Sequence, residues 1–172
     1  MNTSADAGRV QSTSSTWGLT AAQAELVEQV AHLSAQSFAT RAAKHDAEAK
    51  GYQDALMLDY RGRIAEATGA NIFLIQDGKI HTPIPDCFLN GITRQTVIEL
   101  AKRRGYEVIE RAIMPEELAK TQEVFITGTA AEVTPVGQID DYHFTPGEIT
   151  KQMIEDYDAE VHGRSPSAAS AA

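Results

Sequence analysis

The sequence has little of several residue types, and each shortage narrows the range of functions. Cys87 is the single cysteine among 172 residues, so an internal disulfide is excluded and a reducing compartment is favoured. The longest apolar runs, such as 55–58 and 72–75, are far shorter than the roughly 20 residues of a membrane-spanning helix. The N-terminus shows no basic region followed by an apolar stretch, which argues against a signal peptide. These features predict a cytoplasmic protein without a membrane partner.

Positive charge is also scarce. The chain has 15 Lys and Arg residues against 24 Asp and Glu residues, and its formal net charge is -9. A nucleic-acid-binding protein usually carries a basic face, whereas the basic cluster here, at 102–104, closes a predicted helix and complements its dipole. We therefore expect no nucleic-acid partner.

Both ends of the sequence have a composition typical of disorder. Residues 1–18 are rich in Ser, Thr, Ala and Gly without an apolar period, and residues 162–172 are similar. We interpret them as a disordered leader and a disordered tail. Between them, residues 19–161 alternate predicted helices with predicted strands. This pattern favours one α/β (α+β) domain with a mostly antiparallel or mixed sheet.

The predicted elements follow from apolar periodicity and from residues that begin or end helices. Helices are expected at 21–33, 38–50, 93–104 and 146–161, and a short one at 116–119 after Pro115. Thr20, Thr93 and Thr145 are predicted capping residues, and Gly51 and Gly105 end two helices. Strands are expected at 55–59, 63–65, 71–76, 79–82, 106–111 and 123–127, with Asp77-Gly78 as a two-residue hairpin turn.

Three segments, at 66–73, 89–94 and 127–135, contain residues that could carry chemistry. The second places Thr93 at a helix N-terminus, where free backbone N–H groups and the helix dipole attract anions. The third is a turn with Thr129 after an apolar strand, and the first contains Glu66 after a strand. Each has an ordinary explanation on its own: an N-cap threonine, a plain loop and a solvated glutamate.

Taken together, the three segments resemble the signature of class IV pyridoxal-phosphate aminotransferases. The matching residues are Glu66, Thr68, Asn71, Ile72, Phe73, Ile80, Thr82, Leu89, Gly91, Ile92 and Arg94. The stretch 51–161 is also similar to branched-chain amino acid aminotransferases, especially at Gly51-Tyr52 and at 128–135. The resemblance implies the large domain of the D-amino acid aminotransferase-like fold (pyridoxal-phosphate fold type IV), with pyridoxal 5′-phosphate as cofactor.

The resemblance also implies roles for individual residues. The implied cofactor-binding residues are Glu66, Leu89, Gly91, Ile92, Thr93 and Thr129. Glu66 would pair with the pyridine nitrogen and keep it protonated, so that the ring can accept electrons. Leu89 would pack on the ring, the backbone at 92–93 and Thr129 would hold the phosphate, and Thr129-Ala130 would receive the substrate's α-carboxylate.

The sequence departs from the family at the catalytic lysine, which holds the cofactor covalently and transfers a proton. Counting back without gaps from Gly51-Tyr52 places His32 at that position, and an imidazole lacks the primary amine. Lys44, the nearest lysine, would lie about 18 Å away along a helix. We therefore assign no catalytic residue.

The resemblance implies amino transfer from Leu, Ile or Val to 2-oxoglutarate, with amino acids and 2-oxo acids as substrates and a homodimer as the assembly. Residues 1–42 resemble the family poorly, so we expect that the family's smaller N-terminal domain is absent and that the chain is a truncated form impaired in catalysis. Two alternatives stay open. One is a non-catalytic module that binds pyridoxal phosphate or a partner. The other is a sister activity, D-amino acid transaminase or aminodeoxychorismate lyase. No metal site is expected.

Overall fold

The computed structural model describes residues 39–163. Its α-helices are α1 (39–49), α2 (Ile92–Arg103) and α3 (Glu148–His162), and a 3-10 helix spans Pro115–Lys120. The predicted leader, the helix predicted at 21–33 and His32 lie outside the described residues, as does the predicted tail from residue 164 onward. His162 was assigned to that tail but is the last residue of α3.

A five-stranded mixed sheet lies at the centre of the described chain, with strand order β5-β4-β3-β6-β7. In chain order the strands are β1 (Leu56–Leu58), β2 (Ile64–Ala67), β3 (Asn71–Gln76), β4 (Lys79–Pro83), β5 (Val108–Arg111), β6 (Glu123–Gly128), β7 (Glu132–Pro135), β8 (Gln138–Ile139) and β9 (Tyr142–His143). Strands β4 and β5 are parallel, and the other neighbours in this sheet are antiparallel. The pairs β1-β2 and β8-β9 form two small antiparallel sheets. The predicted α/β class with a mixed sheet is confirmed.

The two faces of β3 are buried in two different hydrophobic clusters. Phe73 and Ile75 pack with residues of α2 and α3, whereas Ile72 and Leu74 pack on the opposite side. Side chains alternate between the faces of a strand, so a strand covered on both sides is apolar at consecutive positions. Phe73 also stacks on Phe125 of β6, with 4.8 Å between ring centroids. The core therefore fixes β3 and β6 side by side.

Glycines end the helices and turns where the sequence predicted them. Asp77 and Gly78, with φ values of 51° and 73°, connect β3 to β4 in the conformation that a two-residue hairpin requires. Gly51 follows α1 with φ 88°, and Gly105 follows α2 with φ 87°. In each case the next residue's N–H donates to a carbonyl five residues back, which satisfies the helix end.

The predicted capping roles of Thr93 and Thr145 are wrong. The N-cap of helix α2 is Gly91, two residues before Thr93, and the hydroxyl of Thr93 lies 3.5 Å from that of Tyr157. Helix α3 has Gly147 as N-cap and no capping side chain of its own. Instead, the Glu123 carboxylate on β6 accepts the N–H of Thr150 at 2.9 Å. A partner distant in sequence replaces the expected local cap.

Smaller differences concern strand bounds. Glu66, expected just after a strand, lies within β2, and strands β7, β8 and β9 were not predicted. Pro115 is the first residue of the short helix, as expected, although that helix is of the 3-10 type. Across residues 39–163, we find no helix with the length and apolar character needed to cross a bilayer.

Candidate functional site

Glu66 lies on β2, opposite Met57 of β1, and its side chain is half-buried. Burial raises the pKa of its carboxyl group to about 7, because the charged form loses solvation. Asn71 is its one side-chain hydrogen-bond donor among the described residues, and the distance of 3.4 Å is long. A carboxyl group in this state can accept a proton or pair with a cationic donor near neutral pH.

Asn71 connects Glu66 to the loop before α2. Its side-chain amide is buried, and Nδ2 also donates to the carbonyl oxygen of Leu89 at 2.9 Å. Its Oδ1 accepts the N–H of Gly91 at 3.3 Å. The first two sequence segments therefore meet at one amide group, although Glu66 and Gly91 are distant in sequence.

The N-terminus of α2 suits an anion. Gly91 is the N-cap, and no side chain caps the first turn. The N–H groups of Ile92 and Thr93 consequently carry the partial positive charge of the helix end without a capping acceptor. Ile92 is 84% exposed and Leu89 is 78% exposed, whereas Thr93 is buried. The exposed apolar side chains and the free amides lie together at the start of α2.

Arg94 holds the loop before α2 in place. The sequence did not suggest this role beyond the position of Arg94 in the motif. Its side chain is 1% exposed. The guanidinium donates to Asn90 Oδ1 at 2.7 Å and to the carbonyl of Pro83 at 3.0 Å, and it forms an ion pair with Glu110 at 2.7 Å. Its charge is compensated at β5, so Arg94 supports the loop and is not directed to solvent.

The third segment approaches the first at the end of β6. Thr127 pairs with Asn71 in the β3-β6 register, and its buried hydroxyl has no hydrogen-bond partner within the described part of the chain. A Cβ atom at Gly128 would lie 2.8 Å from the carbonyl oxygen of Gly69, so only glycine fits between these two segments. The turn containing Thr129 and Ala130 follows directly and is exposed.

The turn ends at a residue with strained backbone. Glu132 has a φ value of 49°, which is uncommon for a residue with a long side chain. Such strain is frequent near functional sites, where the surrounding structure holds an unfavourable conformation. The structure thus brings the segments of Glu66, Gly91 and Gly128 to one end of the sheet.

These residues suit parts of a pyridoxal-phosphate molecule. Glu66 has a raised pKa and no cationic partner within residues 39–163, so a protonated pyridine nitrogen would satisfy it. The uncapped start of α2 would accept a phosphate group. All six lysines of the chain fall within the described residues and are solvent-exposed. Two of them, Lys50 and Lys79, form ion pairs with Asp46 and Glu107.

A separate cluster of potential metal ligands has a simpler explanation. Atoms of Asp59, Asp86 and Cys87 lie within 4.8 Å of one another. Arg61 lies between the carboxylates, at 3.0 Å from Asp86 and 3.8 Å from Asp59. The arginine supplies the positive charge that a cation would otherwise provide.

Comparison with known proteins agrees with the sequence resemblance. The family described as amino-transferase class IV matches residues 13–139, so the match begins within the segment where the resemblance is weak. A probable branched-chain-amino-acid aminotransferase of Rickettsia felis is 53% identical over 97 residues, which are 56% of this chain and 33% of that protein. A probable branched-chain-amino-acid aminotransferase of Aquifex aeolicus is 48% identical over 127 residues, covering 71% and 41% of the two chains. The chain spans between a third and a half of the curated relatives that it matches.

Solved structures show the same relationship. The branched-chain aminotransferase of Thermoproteus uzoniensis with norvaline has a TM-score of 0.72 and 40% identity, covering 74% of this chain and 43% of that one. The branched-chain amino acid aminotransferase of Thermobaculum terrenum, in its PLP-form, has a TM-score of 0.72 and 39% identity, covering 75% and 44%. The fold, the signature residues and the family match agree, and the chain therefore belongs to the class IV aminotransferase family.

Proposed function

We propose that this chain is the cofactor-binding part of a branched-chain amino acid aminotransferase, whose reaction transfers the amino group of Leu, Ile or Val to 2-oxoglutarate. The observation that carries this proposal is the Asn71 amide, which joins the Glu66 carboxyl to the loop that begins α2. The names of the relatives support the substrate class. We further propose that residues 19–161 form the large domain and that the protein acts in the cytoplasm.

Pyridoxal phosphate supplies the electron-accepting ring when it is bound, and the residues of this chain position and polarise that ring. Glu66 would hold the ring-nitrogen proton. This pairing would place a cation beside a half-buried carboxylate and lower its pKa from about 7. Leu89, which is 78% exposed, would cover one side of the ring.

The phosphate would be held at the start of α2. The Ile92 and Thr93 N–H groups would donate to it, supported by the positive end of the helix dipole. Thr129, in the turn after β6, would add a hydroxyl donor. The backbone of Thr129-Ala130 would bind the substrate's α-carboxylate, because turn N–H groups are natural carboxylate donors.

Catalysis by this chain alone should be impaired. His32 stands at the position of the family's lysine, and an imidazole lacks the primary amine that the chemistry needs. A second function, non-catalytic binding of pyridoxal phosphate, is favoured by the six exposed lysines, since none is buried beside Glu66. Both proposals share the same binding residues, and they differ in whether a supplied lysine amine restores turnover.

Two measurements test the proposal. Pyridoxamine 5′-phosphate needs no lysine, and its binding can be followed by a change in fluorescence of the ligand or the protein. Glu66→Gln should weaken this binding about tenfold, because a charged hydrogen bond is lost. Glu99→Gln on the exposed face of α2 is the matched control and should bind normally. An unaltered affinity in Glu66→Gln would refute the assignment of Glu66 to the ring nitrogen.

Turnover with and without a supplied lysine amine separates the two functions. We expect a coupled glutamate assay with added pyridoxal phosphate, leucine and 2-oxoglutarate to show no transamination by the chain, because it lacks the lysine. His32→Lys tests whether the amine alone is missing. Robust turnover by the unaltered chain would contradict the assignment of His32 to the lysine position.

A further inference from the structure

Asn71 holds three groups from two segments, and this arrangement has a consequence for the cofactor site. Its Nδ2 atom lies 3.4 Å from Glu66 Oε2 and 2.9 Å from the Leu89 carbonyl. Its Oδ1 accepts the Gly91 N–H at 3.3 Å. With 5% of its surface exposed, the amide cannot exchange these partners for water without moving.

Gly91 fits tightly against the same amide. A Cβ atom at Gly91 would lie 2.6 Å from Asn71 Oδ1, well inside van der Waals contact. The φ value of Gly91 is -58°, which any residue can adopt, so the requirement for glycine here comes from Asn71 and not from the backbone conformation. The two residues are therefore matched in shape as well as in hydrogen bonding.

We propose that Asn71 is a positioning residue that sets the Glu66 carboxyl and the start of α2 at a fixed separation, so that one ligand can engage both. The inference rests on the proposed function for its ligand, a phosphorylated pyridine. The coupling within the protein does not depend on that ligand, because a change at Gly91 reaches Glu66 through the Asn71 amide.

Asn71 suits this role because an amide is both donor and acceptor and stays neutral. An aspartate could not donate to Glu66 or Leu89, and a second carboxylate would repel the first. Asn71 is also the first residue of β3, whose next residues are almost fully buried. The amide is thus anchored to the central, buried strand of the sheet, with no charge of its own.

The test measures the pKa of Glu66 in ligand-free protein. The titration is observed by carbon NMR of labelled glutamate, and the Glu66 signal is assigned by its loss in Glu66→Gln. Gly91→Ala should displace the Asn71 amide, remove its weak hydrogen bond to Glu66 and raise the pKa by roughly half a unit. The same Gly91→Ala change in an Asn71→Ser background should leave the pKa of Glu66 where Asn71→Ser alone puts it.

Two matched controls accompany these variants. Gly137→Ala introduces a Cβ atom where nothing lies within 4 Å, and it should not alter Glu66. Gln76→Ser removes a side-chain amide from the other end of β3, where it holds Thr121 and Arg111. It should lower thermal stability without moving the pKa of Glu66. A merely structural role for Asn71 would make its variants behave like Gln76→Ser.

Binding of pyridoxamine 5′-phosphate completes the test. Gly91→Ala should weaken binding about tenfold in the unaltered background and have little further effect after Asn71→Ser. If Gly91→Ala shifts the pKa of Glu66 equally in both backgrounds, or in neither, the inference is overturned. If Asn71→Ser does not fold, the effect of Gly91→Ala on the otherwise unaltered chain gives the answer. Failure of the unaltered chain to bind pyridoxamine 5′-phosphate, with the pKa coupling intact, would instead contradict the proposed function and leave the positioning role standing.

Discussion

Glu66 is placed where its ionisation works against folding at neutral pH. Its pKa is raised to about 7 by burial, so the folded state binds a proton more tightly than the unfolded chain does. The contribution to stability is therefore fully present below the unfolded pKa, near 4.5, and is lost as pH rises through about 7. A group that destabilises the empty protein but suits a cationic ligand is typical of a binding site.

We expect Glu66→Gln to raise the melting temperature at pH 8, because a neutral amide removes the cost of the half-buried charge. At pH 4 the variant and the parent should melt alike, since Glu66 is then protonated in both states. Thermal melts across this range, with Glu99→Gln as the exposed control, check the expectation. A pH-independent difference would show that the gain comes from packing and not from charge.

At the scale of elements, the edge of the sheet is held by a network around Arg111 of β5. Its Nε–H donates to Nδ1 of the buried His81 at 3.0 Å, and its other nitrogens bind Glu117 at 2.7 Å and Gln76 at 3.0 Å. The arginine joins β3, β4, β5 and the 3-10 helix. The acceptor role of His81 requires Nδ1 to be unprotonated.

Acid should weaken this network. Burial lowers the pKa of His81, and the nearby Arg111 lowers it further, against the opposing effect of Glu117. Because the folded pKa is depressed, the contribution of neutral His81 is present above its unfolded pKa of 6.5 and is lost as pH falls below it. We expect the free energy of unfolding to decline there, and to decline less in His81→Gln.

The pH range over which His81 affects stability overlaps that of Glu66, and the two residues change the free energy of unfolding in opposite directions. The measurement is therefore the difference between parent and His81→Gln in urea titrations at several pH values. Replacing the exposed His143 by Gln is the matched control and should leave the pH dependence as it is in the parent. If the difference does not grow toward low pH, the assignment of the acid effect to His81 is wrong.

Elements set by local chemistry could be predicted from the sequence. Gly51, Gly105 and Asp77-Gly78 adopt positive φ values that few other residues tolerate, so their positions reveal the turns. The caps predicted at Thr93 and Thr145 are wrong, because the hydroxyl of Thr93 lies beside Tyr157 and Glu123 accepts an N–H group in the first turn of α3. Both partners come from distant parts of the chain, so the local sequence could not indicate them. Strand β7 was not predicted, because it is short and ends in proline.

The candidate site was predictable only through its resemblance to a family. Glu66, taken alone, is an ordinary glutamate until the fold half-buries it and brings Asn71 to its carboxyl group. The function of Asn71 depends on partners up to 20 positions away in sequence, and no local pattern indicates them. Arg94 is similar, because the ion pair between its buried guanidinium and the exposed Glu110 exists only after β5 joins β4.

At the scale of the whole molecule, the surface of residues 39–163 includes solvent-exposed apolar side chains. Eight large hydrophobic residues are exposed, namely Tyr52, Leu58, Tyr60, Ile84, Leu89, Ile92, Met114 and Val161. Exposed apolar groups favour association, whereas the net charge of -9 opposes it through repulsion between copies.

We expect the chain to self-associate, and added salt to strengthen the association by screening that repulsion. The double variant Leu89→Ser with Ile92→Ser should shift sedimentation toward the monomer, because these two side chains are the most exposed apolar groups beside the candidate site. Val161→Ser, at the end of α3, is the matched control. A single monomeric species at high concentration and high salt would contradict the expectation.

The position of β3 between β4 and β6 also determines when the site can form during folding. Strand β3 reaches β4 through a two-residue turn, but it reaches β6 only after about fifty intervening residues are enclosed, which slows that pairing. Thr127 and Gly128 arrive with β6, so they join Asn71 and Gly69 late. In a pulse-labelled refolding experiment, amide protons across the β3-β4 hairpin should resist exchange with solvent before those at the cofactor end of the sheet. A chain still emerging from the ribosome would hold its hairpin before it could hold a ligand.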